Sequence, residues 1–232
     1  MRHSIFALLL VTAASGSAFA EGFTGKVSFG YLGTSGNSEA VSVNAATGLQ
    51  WEYDRWTHNL DLAGLGSQDA VDTIAEAYTA AWKSQWAIDD MSYVFGTIRG
   101  EKDKFGGFDQ QITQAAGYGR KLIDNELALW TAEAGVGARQ SDLRDGTSES
   151  ETIFRGATDY TRFLSETSEF HAGLAVESGS ENTMLQSIVA IKARVLGDMA
   201  LVASYRVRHN TDVPAGSEET DTFTAISLEY AF

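Results

Sequence analysis

From residue 23 to the last residue, the chain repeats one pattern, an apolar/polar alternating segment of about ten residues followed by a turn. The segments fall at 23–33, 40–53, 56–67, 74–86, 91–102, 110–122, 126–140, 151–163, 168–179, 183–196, 199–209 and 221–232. Alternation with period two sends successive side chains to opposite faces of an extended strand, so these segments predict an all-β chain of about twelve strands. Val41, Val43, Ala45, Thr47, Leu49, Trp51 and Tyr53 share one face of the second strand, against Ser42, Asn44, Gln50 and Glu52 on the other. The eleventh sets Leu201, Ala203, Tyr205 and Val207 against Ser204, Arg206 and Arg208.

Alternation alone fits a sandwich with one wet face as well as a barrel. The connections separate the two. Joins after even-numbered strands are tight, such as Asp54-Arg55 and Gly197-Asp198. Several joins after odd-numbered strands are longer and rich in Gly, Ser and acid, at 33–39, 68–73, 103–109, 141–150 and 210–220; the last holds the single proline, Pro214. Short turns at one end and long loops at the other are the plan of a transmembrane antiparallel up-and-down β-barrel. The alternating register at 91–102 and 110–122 is interrupted and rich in glycine, which leaves facing there open by one residue.

Past the first twenty residues there is no apolar run long enough for a helical span. Barrel strands need none, because every second residue faces a polar interior. Asp and Glu number 31 against 17 Lys and Arg, a net charge of −14 that disfavours nucleic-acid partners. Cysteine is absent, so stability rests on strand pairing and packing rather than disulfides. Residues 1–20 read as a secretory signal: Arg2 and His3, an apolar run from Ile5 to Val11, and Ala18-Phe19-Ala20 before cleavage. A single barrel domain is expected over 21–232.

All five tryptophans, Trp51, Trp56, Trp82, Trp86 and Trp130, fall in or near strand ends on the short-turn side. Such a ring is expected at a membrane interface, with Tyr230 and Phe232 joining it and Tyr31, Tyr78 and Tyr205 as a weaker girdle opposite. Ile226, Leu228, Tyr230 and Phe232 alternate along the final segment. That ending resembles the C-terminal signal read by the barrel-assembly machinery of bacterial outer-membrane proteins, an expected partner alongside outer-membrane lipid and lipopolysaccharide.

The order of Gly33-Thr34-Ser35-Gly36-Asn37-Ser38, Ala116-Gly117-Tyr118-Gly119-Arg120, Glu133-Ala134-Gly135-Val136-Gly137 and Leu228-Glu229-Tyr230-Ala231-Phe232 resembles the family of salt-induced outer-membrane proteins, a domain family of unknown function. The resemblance implies a barrel in the outer membrane of a Gram-negative bacterium and carries over no substrate, catalytic residue or cofactor. Gly33 to Ser38 reads as turn chemistry, without the lysine and helix of a phosphate loop.

Beyond the signal only His58, His171 and His209 remain, none in a catalytic motif, so no enzyme, metal site or cofactor is expected. His58 falls on the apolar face and His171 on the interior. Asp69, Asp72, Asp142, Asp145, Glu149 and Glu151 match no calcium loop and read as solvated loop charge. The predicted inward positions carry both signs: Lys26, Asp61, Lys83, Arg99, Glu101, Glu133, Arg139, Arg155, Asp159, Glu177, Lys192, Arg194, Arg206, Arg208 and Glu229. Charges in an interior must be paired or wet. They point to a narrow pore for ions or small polar solutes, with Lys192, Arg194, Arg206 and Arg208 as an anion-attracting cluster. The competing expectation is a closed structural or adhesion barrel; an outer-membrane lipid hydrolase is a distant third.

Overall fold

The computed structural model describes residues 22–35, 40–68, 73–103, 108–144, 146–213 and 218–232. The proposed signal and parts of the predicted loops, with Asp69, Asp72, Asp145 and Pro214, lie outside them. Twelve strands run in chain order: β1 (Phe23–Ser35), β2 (Ala40–Tyr53), β3 (Trp56–Gln68), β4 (Thr73–Ala87), β5 (Ser92–Asp103), β6 (Phe108–Asn125), β7 (Ala128–Leu143), β8 (Ser148–Ser165), β9 (Ser168–Ser178), β10 (Thr183–Leu196), β11 (Met199–Asn210) and β12 (Thr220–Ala231). Each pairs antiparallel with its sequence neighbours, and β12 returns to β1 to close the barrel. Closure leaves no unpaired edge, the one arrangement in which a sheet satisfies its backbone without water on its outside.

The seam is completed by Gly25 N–H donating to Phe232 O at 2.7 Å and Phe232 N–H to Gly25 O at 2.8 Å. The Phe232 ring lies over Gly25 and against Tyr230 and Phe23. The short turns use local chemistry. Asp54 adopts a left-handed φ of 54°, as does Gly197. Asp89 Oδ1 accepts the Met91 N–H at 2.8 Å, and that bond holds the Asp89 carboxyl below its ordinary range. Asn125 Oδ1 accepts from the Leu127 and Ala128 N–H groups.

The strand count agrees with the alternation, but one hairpin is longer than the composition suggests. β7 runs on to Leu143 and β8 begins at Ser148, so much of the acidic segment expected as loop is sheet. Ser141 pairs with Glu149 and Asp142 with Ser148, and Ser148 Oγ donates to Asp142 Oδ1 at 2.6 Å. Ladder bonds and this side-chain bond stabilise a polar sequence that binary pattern alone assigns to a loop. In the glycine-rich region the register shifts between Phe108 and Gln110 and between Lys121 and Ile123. Both bulges lie towards the ends of β6, and β5 pairs with β6 without a shift from Ser92/Arg120 to Lys102/Gln110.

Outside and inside are inverted relative to a water-soluble protein. Phe29, Leu62, Ile98, Val136, Phe154, Ile191 and Ile226 are all exposed on the outer wall. The interior near β5–β8 is packed instead: Tyr93, Phe95 and Ile153 are buried, with the Tyr93 ring over Gly119. On the side formed by β1–β4 and β9–β12, small inward residues such as Ala46, Ala63, Ala190 and Ala225 leave a cavity of about 570 Å³.

Candidate functional site: a charged lumen with a transverse ion-pair bridge

The inward register of β5 carries Arg99 and Glu101, and both reach distant strands. Arg99 Nη2 lies 3.1 Å from Glu177 Oε2 on β9, while Arg155 Nη1 on β8 holds the other oxygen of Glu177 at 2.7 Å. Glu101 Oε1 accepts from Arg208 Nη2 on β11 at 3.1 Å and lies 3.9 Å from Arg99 Nε. The result is a chain from Arg155 through Glu177, Arg99 and Glu101 to Arg208. β5 and β11 stand opposite each other in the barrel, with five strands between them either way, so this chain crosses the lumen. Glu177 is its anchor, 3% exposed and holding two guanidiniums.

Two further groups flank the bridge. Towards the short turns, Lys83 pairs with Glu133, which also accepts from Tyr93 Oη at 2.8 Å, and Lys192 Nζ stands 2.8 Å from Glu229 and 3.6 Å from Glu169. Near the loops, the buried Arg139 donates through Nε and Nη2 to Glu151 and caps the Asn182 carbonyl. A buried guanidinium is tolerated only with such partners.

The basic residues grouped by sequence therefore have different environments. Lys192 and Arg208 are engaged by carboxylates; Arg194 lies at the short-turn rim, opposite Ala200, and is exposed. Arg206 lines the cavity, exposed to it, with no ion-pair partner among the described residues. His171 lines the cavity too, its Nε2 3.8 Å from Asp159.

The outer wall carries an aromatic cluster at the short-turn end. Trp51 and Trp82 meet edge-on at 4.9 Å, His58 stacks on Trp56 at 5.6 Å, and Arg55 lies over Trp86. Trp130 Nε1 donates to Thr158 Oγ1 at 2.8 Å. Sequence reading missed one relationship here: the β3–β4 register sets His58 opposite Ser84, and Ser84 Oγ lies 2.8 Å from both His58 Nδ1 and Trp82 Nε1. Pairing the two strands through their Asn59/Lys83 positions would have revealed it. Among the described residues no carboxylate or amide side chain is hydrogen-bonded to His58. Nor do the described residues contain a His, Asp and Glu grouping able to hold a metal ion.

A closed twelve-stranded antiparallel barrel with an apolar outer wall and a charged interior has the porin-like outer-membrane barrel fold. The chain belongs to the family described as "Protein of unknown function, DUF481", which matches residues 27–232. It is 28% identical over 212 residues to the uncharacterized protein YdiY of Escherichia coli K12, covering 90% of this chain and 83% of that one. The barrel is similar to the NanC porin, with a TM-score of 0.60 and 9% identity over 88% of this chain and 98% of the other. It is also similar to the translocator domain of the autotransporter NalP from Neisseria meningitidis, with a TM-score of 0.56 and 11% identity over 93% and 90%.

Proposed function

We propose that this protein is an outer-membrane pore for passive movement of ions and small polar solutes, with its short turns and termini on the periplasmic side. One observation carries the reading: beside the packed region near β5–β8, the barrel's interior holds a cavity of about 570 Å³ lined by charged, hydroxyl and small side chains. About eight strands give an interior filled by side chains and sixteen to eighteen an open channel, so twelve suit a narrow path. The bridge from Arg155 to Arg208 makes that path's constriction, and the paired charges at its edges set which solutes pass. The likeness to the NanC porin supports the reading at the level of fold. The apolar outer wall supports a location in the bilayer.

The same bridge favours a second reading, a barrel closed by its own ion pairs that serves the envelope without conducting. Planar-bilayer recording of the folded protein separates the two. Discrete conductance steps are expected, with an opening larger when the bridge is cut. A folded, heat-modifiable barrel that stays silent, both intact and with Glu101 and Glu177 neutralised, would overturn the pore reading.

A further inference from the structure

We infer that the lumen holds a binding seat for a small hydroxylated organic carboxylate, with Arg206 as its anchor. The inference names a solute class for the proposed pore and rests on that reading only for its physiological meaning; the seat itself follows from the cavity.

The carboxylates lining the cavity, Glu101, Asp103, Glu169 and Glu229, all have partners. Glu101 is held by Arg208 and Arg99, and Glu169 and Glu229 share Lys192. Arg206 projects its guanidinium into the same space without an ion-pair partner among the described residues. It acts on Glu101 electrostatically together with the Arg99 and Arg208 guanidiniums, which pair with that carboxylate directly. Asp103 and Asp221 add their charge to Arg208, whereas Arg206 has the shared Glu101 as its one counter-charge among the described residues. A planar guanidinium meets a carboxylate with two parallel hydrogen bonds, a geometry no ammonium group reproduces.

The surroundings of Arg206 favour an organic anion over a halide. Phe223 and Ile188, its register partners on β12 and β10, both line the cavity and offer an apolar flank to a carbon skeleton. Elsewhere the lining carries Ser28, Ser204, Ser227 and Thr161 hydroxyls, and Asn44 Oδ1 is buried there without a hydrogen-bond partner among the described residues. A buried acceptor left unsatisfied favours a ligand that brings a hydroxyl donor. The volume, about 570 Å³, falls within the range of roughly 300–1,000 Å³ typical of small-molecule sites.

The test titrates gluconate, glucose and chloride into the folded barrel in detergent by calorimetry and, separately, measures block of bilayer conductance by gluconate. Saturable gluconate binding is expected, tighter than glucose by at least about tenfold, the size of one charge-assisted hydrogen-bond pair. Arg206→Gln should remove that preference with the heat-modifiable form retained, and Arg206→Lys should keep only part of it. Equal titration by glucose, equal affinity for chloride, or an unchanged gluconate isotherm in folded Arg206→Gln would each overturn the seat. Failure of the pore reading looks different: a silent barrel that still binds gluconate through Arg206 keeps the seat and loses the channel. A conducting barrel indifferent to gluconate does the reverse.

Discussion

Arg208 Nη2 reaches Glu101 Oε1 at 3.1 Å from the opposite wall of the barrel, across a separation of 107 residues in the chain. Contacts between neighbouring strands follow from the ladder, whereas this one spans the lumen and so depends on tilt and stagger of the whole barrel. Replacing Glu101 with glutamine keeps the volume and removes the charge that draws Arg208 and Arg99 inward. Open-channel conductance is expected to rise about severalfold, with selectivity shifted towards anions as the freed guanidiniums face the water path. Paired recordings in a salt gradient, native against Glu101→Gln, measure both quantities; lower or unchanged conductance would mean that the constriction lies elsewhere.

Glu177 should matter more for stability than for permeation. It is almost fully buried and is shared by Arg99 and Arg155, so Glu177→Ala leaves two guanidiniums without their common partner. Removing one member of a buried ion pair typically costs about 3–5 kcal/mol, and the wet lumen puts the expected loss near the lower end. Urea unfolding of the detergent-folded barrel, followed by the electrophoretic shift between folded and unfolded forms, reads the difference. Arg155→Met combined with Glu177→Ala should recover part of the loss.

Strand number was legible because alternation is local: Val43, Ala45 and Leu49 show their common face whatever the other strands do, and the barrel was legible from short turns at one end and long loops at the other. Partner choice was not. Lys192, Arg194, Arg206 and Arg208 look alike along the chain, yet Lys192 meets Glu229 and Glu169, Arg208 meets Glu101, and Arg206 faces the cavity with no ion-pair partner among the described residues. Which inward charges meet is decided by how far each strand is staggered, information no single strand contains. The extension of β7 and β8 was hidden for a related reason. Ser141, Asp142 and Glu149 read as loop until their ladder partners are known.

The glycines of β6 and β7 divide sharply from those on the outer wall. An added Cβ at Gly137 would collide with the Gln114 carbonyl and stand 2.8 Å from the Ala115 backbone. One at Gly96 meets nothing within 4 Å. Gly137→Ala should destabilise the barrel by about 1–3 kcal/mol through overpacking. Gly96→Ala should be neutral, or stabilising by about 0.4–1 kcal/mol, because it restricts the unfolded chain. The same urea assay compares them, and equal effects would mean that the close approach of β6 and β7 is not a packing constraint.

The aromatic cluster at the short-turn end makes a prediction about depth. Trp51, Trp56, Trp82 and Trp86 gather around His58 and Arg55 at one rim, the placement suited to rings that sit between hydrocarbon and headgroups. In vesicles of brominated lipid, tryptophan emission should be quenched more by bromines near the carbonyl region than by bromines near the chain ends. Uniformly deep quenching would move the ring into the hydrocarbon, and no quenching would remove it from the bilayer.

Phe232 has two roles that can be separated. Its backbone closes β12 against β1 through the paired bonds with Gly25, and its ring covers Gly25 beside Tyr230. Phe232→Ala retains the backbone bonds and loses the ring, so refolding from urea into detergent should fall only modestly, by the roughly 3 kcal/mol or less expected for truncating a partly exposed aromatic. If the ring is also read by the assembly machinery, the amount of folded barrel in cells should fall much further than that stability change accounts for. Comparing the folded fraction after refolding with the heat-modifiable fraction in isolated outer membranes measures the gap. Equal losses in the two settings would reduce the terminal phenylalanine to a packing residue at the seam.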